Sequence, residues 1–290
     1  MRCRGERAKR RGGVPVSTPD AVGLLAEAEA LFDGVSGRFI AGLGAPSSVQ
    51  KGPADFATEV DLELERTLTA ELTARTGIAV HGEEFGGPDV GTGTVWVLDP
   101  VDGTANYSAG LPLSGMLLAL VHDGVPVAGL TWLPLLQQRY AAVAEGPLYC
   151  NGIEVPRLSE VALRESTTTI GALNQGSSGR YPGEYRYRVL GALSRACLRV
   201  RLIGATGIDL AWTAAGLLGG SVTFGHHPWD NAAGVCLVRA AGGVVTDLAG
   251  DPWQIDSPSV LAASPGVHAE MLSLLADLGD PRSYESGIPV

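Results

Sequence analysis

The sequence predicts an α/β protein, α+β in its first half and α/β in its second, and three observations carry that expectation. From about residue 185 onward helical and strand patterns alternate, as they do where helices cover a sheet. Near the middle, two almost wholly apolar runs flank Asp123-Gly124, a strong hairpin signal, so the first half should hold strands covered on both faces. The chain has 290 residues, 45% of them apolar and 18% charged, which is enough to bury a large core and too apolar for bulk disorder.

The elements follow in order. Thr18-Pro19-Asp20 is a helix-start signal, and Leu24, Leu25, Ala28, Leu31 and Phe32 continue at helical spacing. A second helix is predicted over 61–74 through Leu62, Leu64, Leu68 and Leu72. Short strands are expected at 78–80, before Gly82-Glu83-Glu84, and at 95–98, running straight into Asp99. The hairpin strands span 116–121 and 125–132. The second half reads as helix 185–198, strand 199–203, helix 208–218, strand 221–224, helix 230–241, strand 244–247, strand 260–263 and helix 267–278. The turn at Asn151-Gly152 suggests a division into 14–151 and 152–290, after a disordered basic extension over 1–13.

Composition removes several classes of function. Forty glycines without a three-residue period exclude collagen. The longest apolar run, 116–121, is far below the ~20 residues of a spanning helix. Net charge is −10 even though Arg2, Arg4, Arg7, Lys9, Arg10 and Arg11 crowd the start, so the body is strongly acidic and repels phosphodiester backbones. Neither nucleic acid nor a membrane is therefore expected as a partner. Cys3, Cys150, Cys197 and Cys236 lack metal-finger spacing and read as small buried residues in a reducing, cytoplasmic compartment.

The chemistry concentrates in Asp99-Pro100-Val101-Asp102-Gly103-Thr104. An apolar strand ending in two carboxylates on a stiff turn, beside the N–H groups of Gly103 and Thr104, suits a metal and a phosphate together. Hard oxygen donors favour Mg²⁺ over zinc. An Asp-rich β-turn is the plain structural alternative.

Four segments place this stretch in a wider pattern: 51–61 (KGPADFATEVD), Gly82-Glu83-Glu84, 99–107 (DPVDGTANY), and 229–234 (WDNAAG) with Ala241-Gly242-Gly243 downstream. Together they resemble the inositol monophosphatase family of Mg²⁺-dependent phosphatases, its bacterial inositol-1-monophosphatase-like branch in particular. The resemblance implies a layered αβαβα sugar-phosphatase fold with its site where the halves meet. It implies metal ligands at Glu83, Asp99, the Val101 carbonyl, Asp102 and Asp230, holding two or three Mg²⁺ ions. Thr104 and Asp61 would position the attacking water, with Glu83 and Lys51 completing the catalytic group. Substrate would meet Asp102, Gly103, Thr104, the loop Gly204-Ala205-Thr206, Thr223 and Asp230. Lithium sensitivity and a homodimer belong to the same implication.

Five converging carboxylates cannot all remain ionised without cations, which supports the grouping on physical grounds. Blander roles stand beside these: Asp230 as a helix N-cap, Asp61 as a solvated first-turn acid, Thr104 as a turn residue, Lys51 as a surface charge. His81, His226 and His227 read as structural, Trp229 as a wedge holding Asp230. Animal-type members carry a substrate-contacting glutamate seven residues before the Trp-Asp aspartate, and here that position is Thr223. The expected reaction is hydrolysis of a small phosphate monoester, foremost myo-inositol 1-phosphate. Fructose 1,6-bisphosphate, histidinol phosphate and a 3′-phosphoadenosine nucleotide are the alternative substrates, and a non-catalytic regulatory binding partner is the alternative class. A nucleotide module finds no support, since neither GxGxxG nor GxxxxGK[ST] occurs.

Overall fold

The computed structural model describes residues 20–52, 55–173 and 180–284. The basic extension expected over 1–13 lies outside them. Asp20 caps helix α1 (Ala21–Ala41) by accepting from Gly23 N–H. An antiparallel pair follows, β1 (Ser47–Gly52) with β2 (Asp55–Thr58), and leads directly into α2 (Glu59–Thr76). The chain then builds β3 (Val80–Gly82), β4 (Thr94–Asp102), the five-residue helix α3 (Thr104–Ser108), β5 (Gly115–His122), β6 (Val125–Leu133), β7 (Gln138–Val143), β8 (Tyr149–Cys150) and β9 (Ile153–Glu154). These seven strands from β3 to β9 form one sheet in sequence order, antiparallel except for the parallel β3–β4 pair. Asp123 and Gly124 take positive φ in the β5–β6 turn, as its sequence demands.

The second half contributes β10 (Thr167–Ile170), α4 (Gly183–Ala196), β11 (Arg199–Arg201), α5 (Thr206–Ala214), β12 (Gly220–Thr223), α6 (Pro228–Ala240), β13 (Val244–Thr246), β14 (Val260–Ala263) and α7 (Pro265–Ala276). Its five strands order as β11-β10-β12-β14-β13, parallel among the first three and antiparallel at β14.

Side-chain alternation sorts these elements into five layers. On β4 and β5, Trp96, Leu98, Met116, Leu118 and Leu120 pack against α1 and α2, while Val95, Val97, Leu117, Ala119 and Val121 face α5 and α6. Beyond those helices, Val260 and Ala262 of β14 close the same core, whereas Leu261 and Ala263 point to α4 and α7. The order is helices, sheet, helices, sheet, helices, the αβαβα arrangement expected. Gly234 allows α6 to lie on α5, since a Cβ there would collide with Leu210.

Several boundaries differ from expectation. The turn at Asn151-Gly152 closes the small β8–β9 hairpin, a pair no sequence pattern marked, and the first sheet runs on to Glu154. Strand β3 begins at Val80, leaving Ile78 and Ala79 outside it, and β4 runs on through Asp102. Helix α5 ends at Ala214 because Gly216 turns with φ +74°.

Candidate active site

The acidic turn sits at the end of β4, where the first sheet meets the N-termini of α5 and α6. Asp99 is 1% exposed, and its Oδ1 accepts from Val101 N–H at 2.9 Å, which folds the carboxylate back over its own turn. Burial pushes its pKa well above the ordinary range, and the carboxylates of Glu83, Asp102 and Asp230 push in the same direction. The Glu83 carboxylate lies against that of Asp99. Asp102 is held from the other half of the chain: Thr206 N–H donates to Oδ1 at 3.0 Å and Gly207 N–H to Oδ2 at 2.8 Å. Burial raises Asp102 to about 7 against the pull of those two N–H groups. Gly103 follows with φ +79°, and a Cβ there would come within 2.9 Å of both Ala205 Cβ and the Leu113 carbonyl. No other residue fits that position.

Asp61 is the third residue of α2 and closes a capping box with Thr58: Thr58 N–H donates to Oδ2 at 3.1 Å, and the Thr58 hydroxyl bonds the same oxygen. It is 1% exposed, so the solvated first-turn reading fails. Its other oxygen, Oδ1, lies 3.3 Å from Thr104 Oγ1, which also reaches the Val101 carbonyl at 3.0 Å. The structure therefore brings Thr104, Asp61 and Val101 together. Burial raises Asp61 against its hydrogen bonds to Thr58.

Lys51, on β1, places Nζ 2.7 Å from Glu83 and 2.7 Å from Glu84. Its lone-surface-charge reading fails as well. Burial opposes its charge, but the two glutamates outweigh burial and hold the ammonium above its usual range. Glu84 is driven by burial to about 7. Beneath this turn lies Glu65 of α2, 1% exposed, whose two oxygens accept the N–H groups of Glu84 at 2.8 Å and Phe85 at 2.9 Å. Gly82 makes room for it, because a Cβ at 82 would collide with the Glu65 carboxylate. Glu65 was not among the residues predicted for the site.

Asp230 arrives on α6 as its third residue; His227 is the N-cap and Pro228 the first helical residue, so Asp230 is not the cap. A carboxylate in the first turn is favoured by the helix dipole. Trp229 stacks on His227 at 4.5 Å and on His81 at 5.8 Å between ring centroids, fixing the approach of α6 to β3. Asn231 ties the preceding turn by donating to the carbonyls of Gly225 and His227. A cavity of about 200 Å³ opens beside Asp230, lined also by Thr206, Thr223 and Arg186.

The expected ligand set does not stand as a ready metal cage: among the described residues, no group of three or more His, Cys, Asp or Glu is gathered to hold an ion as placed. The local bonds account for this. Glu83 leans to Lys51, and both Asp102 oxygens are taken by α5. Thr206, in the loop expected to meet substrate, likewise has its N–H group engaged with Asp102. The donor chemistry nevertheless fits a hard divalent cation. Asp99 is a buried carboxylate with three acids around it, a charge balance that an oxygen-seeking cation would satisfy.

Comparison with known proteins bears on the family and the fold. Residues 22–278 match the model of the inositol monophosphatase family. The inositol-1-monophosphatase ImpA of Mycolicibacterium smegmatis is 56% identical over 261 residues, 90% of this chain and 95% of that protein. A Mycobacterium tuberculosis protein named as a probable inositol 1-monophosphatase ImpA is 54% identical over 90% of this chain and 97% of its own. In three dimensions, the inositol monophosphatase of Anabaena superposes with a TM-score of 0.77 at 22% identity, over 91% of this chain and 99% of that one, a likeness of fold.

Proposed function

The chain belongs to the inositol monophosphatase family and is a phosphoric monoester hydrolase, and we propose that it converts myo-inositol 1-phosphate to inositol and phosphate with Mg²⁺. The observation that carries this reading is the meeting of Asp99, Asp102 and Asp230 with the Thr104–Asp61 pair at the junction of the two halves. Glu83, Asp99, the Val101 carbonyl, Asp102 and Asp230 would hold the ions. When bound, divalent ions lower the pKa of the attacking water and neutralise charge on the leaving alkoxide.

The protein's own groups do the positioning. With its hydroxyl donating to Asp61, Thr104 directs its lone pairs to accept from the attacking water; as the water gives one proton to Thr104, Thr104 passes its own to Asp61, so one proton in all reaches the carboxylate. Capping by Thr58 fixes the Asp61 carboxylate, which keeps that relay in one geometry. Lys51 restrains Glu83 and adds positive charge where the phosphate oxygens arrive. Thr223 offers a short hydroxyl to the polyol where relatives of animal type offer a carboxylate. A cytoplasmic homodimer sensitive to lithium completes the proposal.

Purified protein with Mg²⁺ should release phosphate from myo-inositol 1-phosphate, and Asp99→Asn should lower kcat by about 10³-fold or more, the scale of losing a principal electrostatic element. No release from a panel of polyol and sugar phosphates, or full activity in Asp99→Asn, would overturn the reading in favour of a non-catalytic role.

A further inference from the structure

Asp209 is a buried acid that the reaction above does not use. It belongs to α5, whose first two residues, Thr206 and Gly207, donate their N–H groups to Asp102. A single helical turn therefore carries both those donors and this second acid. Its side chain is 1% exposed. Where α5 packs on the second sheet, Thr169 of β10 and Ser221 of β12 are register partners. Ile170 and Val222, the next residues on those strands, point to α4 and α7, so alternation turns Thr169 and Ser221 toward α5. The Thr169 hydroxyl lies against the Asp209 carboxyl. Asp209 Oδ1, Thr169 Oγ1 and Ser221 Oγ are all buried, and none has a hydrogen-bond partner among the described residues. Such orphans in a dry interior are costly unless they satisfy one another. A carboxylate only accepts, whereas a carboxylic acid donates one bond and accepts others, which suits two hydroxyls that each can do both. Burial, and after it the charge of Asp102, pushes Asp209 well above the ordinary carboxylate range. An uncharged Asp209 also spares Asp102 a repelling neighbour.

We infer that Asp209 is a positioning residue: bonded to the hydroxyls of Thr169 and Ser221, it pins the first turn of α5 to the second sheet and so aims the Thr206 and Gly207 N–H groups at Asp102. The consequence for function rests on the phosphatase reading, in which Asp102 is a metal ligand. Two N–H groups held in place fix how that carboxylate turns and how much of its charge is left for an ion. The pinning itself belongs to the metal-free chain and is read without any ion.

The test compares three variants with the wild type. Asp209→Leu keeps the size and loses the bonds, Asp209→Asn stays uncharged and can still donate, and Thr169→Val removes one hydroxyl at nearly constant shape. In metal-free protein, amide hydrogen exchange at Thr206 and Gly207, measured relative to the amides of α1, should quicken by about 10-fold or more in Asp209→Leu and Thr169→Val and stay near wild type in Asp209→Asn. Calorimetric titration with Mg²⁺ should show affinity lowered by about 10-fold or more in the same two variants and restored in Asp209→Asn, the scale on which groups that orient metal ligands act. Unchanged exchange in Thr169→Val overturns the pinning, even where Asp209→Leu fails to fold. A loss in Asp209→Asn as large as that in Asp209→Leu overturns it too, because the role would then need a charge. Faster exchange with unchanged Mg²⁺ affinity overturns the positioning of Asp102. A wild type that binds no Mg²⁺ while the exchange pattern holds would instead overturn the proposed reaction alone.

Discussion

Replacing Glu65 by Gln tests whether the turn that presents Glu83 is anchored from below. The Glu65 carboxylate accepts two backbone N–H groups, from Glu84 at 2.8 Å and Phe85 at 2.9 Å. Glutamine has one acceptor oxygen, so one N–H keeps its partner and the other meets an NH₂ group. Losing a hydrogen bond to a charged group costs about 1.5–3 kcal/mol, and for a chain of this size each kcal/mol moves Tm by about 2–4 °C. Glu65→Gln should therefore lower Tm by roughly 3–12 °C. Groups that orient metal ligands are typically worth about 10–100-fold in affinity, so the Mg²⁺ concentration for half-maximal activity should rise by at least 10-fold. Circular-dichroism melting and a Mg²⁺ titration measure the two effects. A variant with wild-type Tm and wild-type Mg²⁺ dependence would show that the turn holds itself and that the reasoning from Glu65 is wrong.

Three other outcomes follow from the same geometry. Mg²⁺ should raise the Tm of the wild type through binding linkage and leave Asp99→Asn nearly unmoved, a readout separate from turnover. Gly234→Ala should cost about 1–3 kcal/mol by forcing α6 off Leu210, seen as a lower urea midpoint. Thr246 Oγ1 donates to the Asp247 carbonyl, so it must accept from His268 Nε2 at 3.0 Å, and burial lowers the His268 pKa. The unfolded chain then binds the proton first as pH falls below about 6.5, and stability declines there; His268→Gln should flatten the decline between pH 7.5 and 5.5 in urea titrations.

Much of this was legible in the residues because apolar patterns record burial directly. The hairpin strands read correctly since both faces of β5 are covered, and strand 260–263 was read to the residue. The β1–β2 pair was missed because Ser47–Gly52 is almost wholly exposed and polar, leaving no alternation to detect. Strands β8 and β9 have two residues each, too few for any period, and that hid the true course of the chain at Asn151. Glu65 could have been found. Asp61, Glu65, Leu68 and Leu72 share one stripe of α2, and two acids on an otherwise buried face signal bound partners. Pro228, the first helical residue, likewise marked His227 as the cap in place of Asp230. The engagement of Thr206 and Gly207 by Asp102 carried no local signal, because it joins residues 104 and 105 positions apart.

That separation bears on how the protein is made. At about 5–20 residues per second, synthesis leaves Asp102 waiting roughly 5–20 s for the N–H groups that hold it, and longer for Asp230. Until then the nascent chain carries a row of acids with neither helix terminus against them, and the first sheet has no α5 or α6 to cover one of its faces. Metal competence should thus arrive late and all at once, when α5 and α6 dock, and a ribosome-bound chain stopped before residue 206 should have no site to fill.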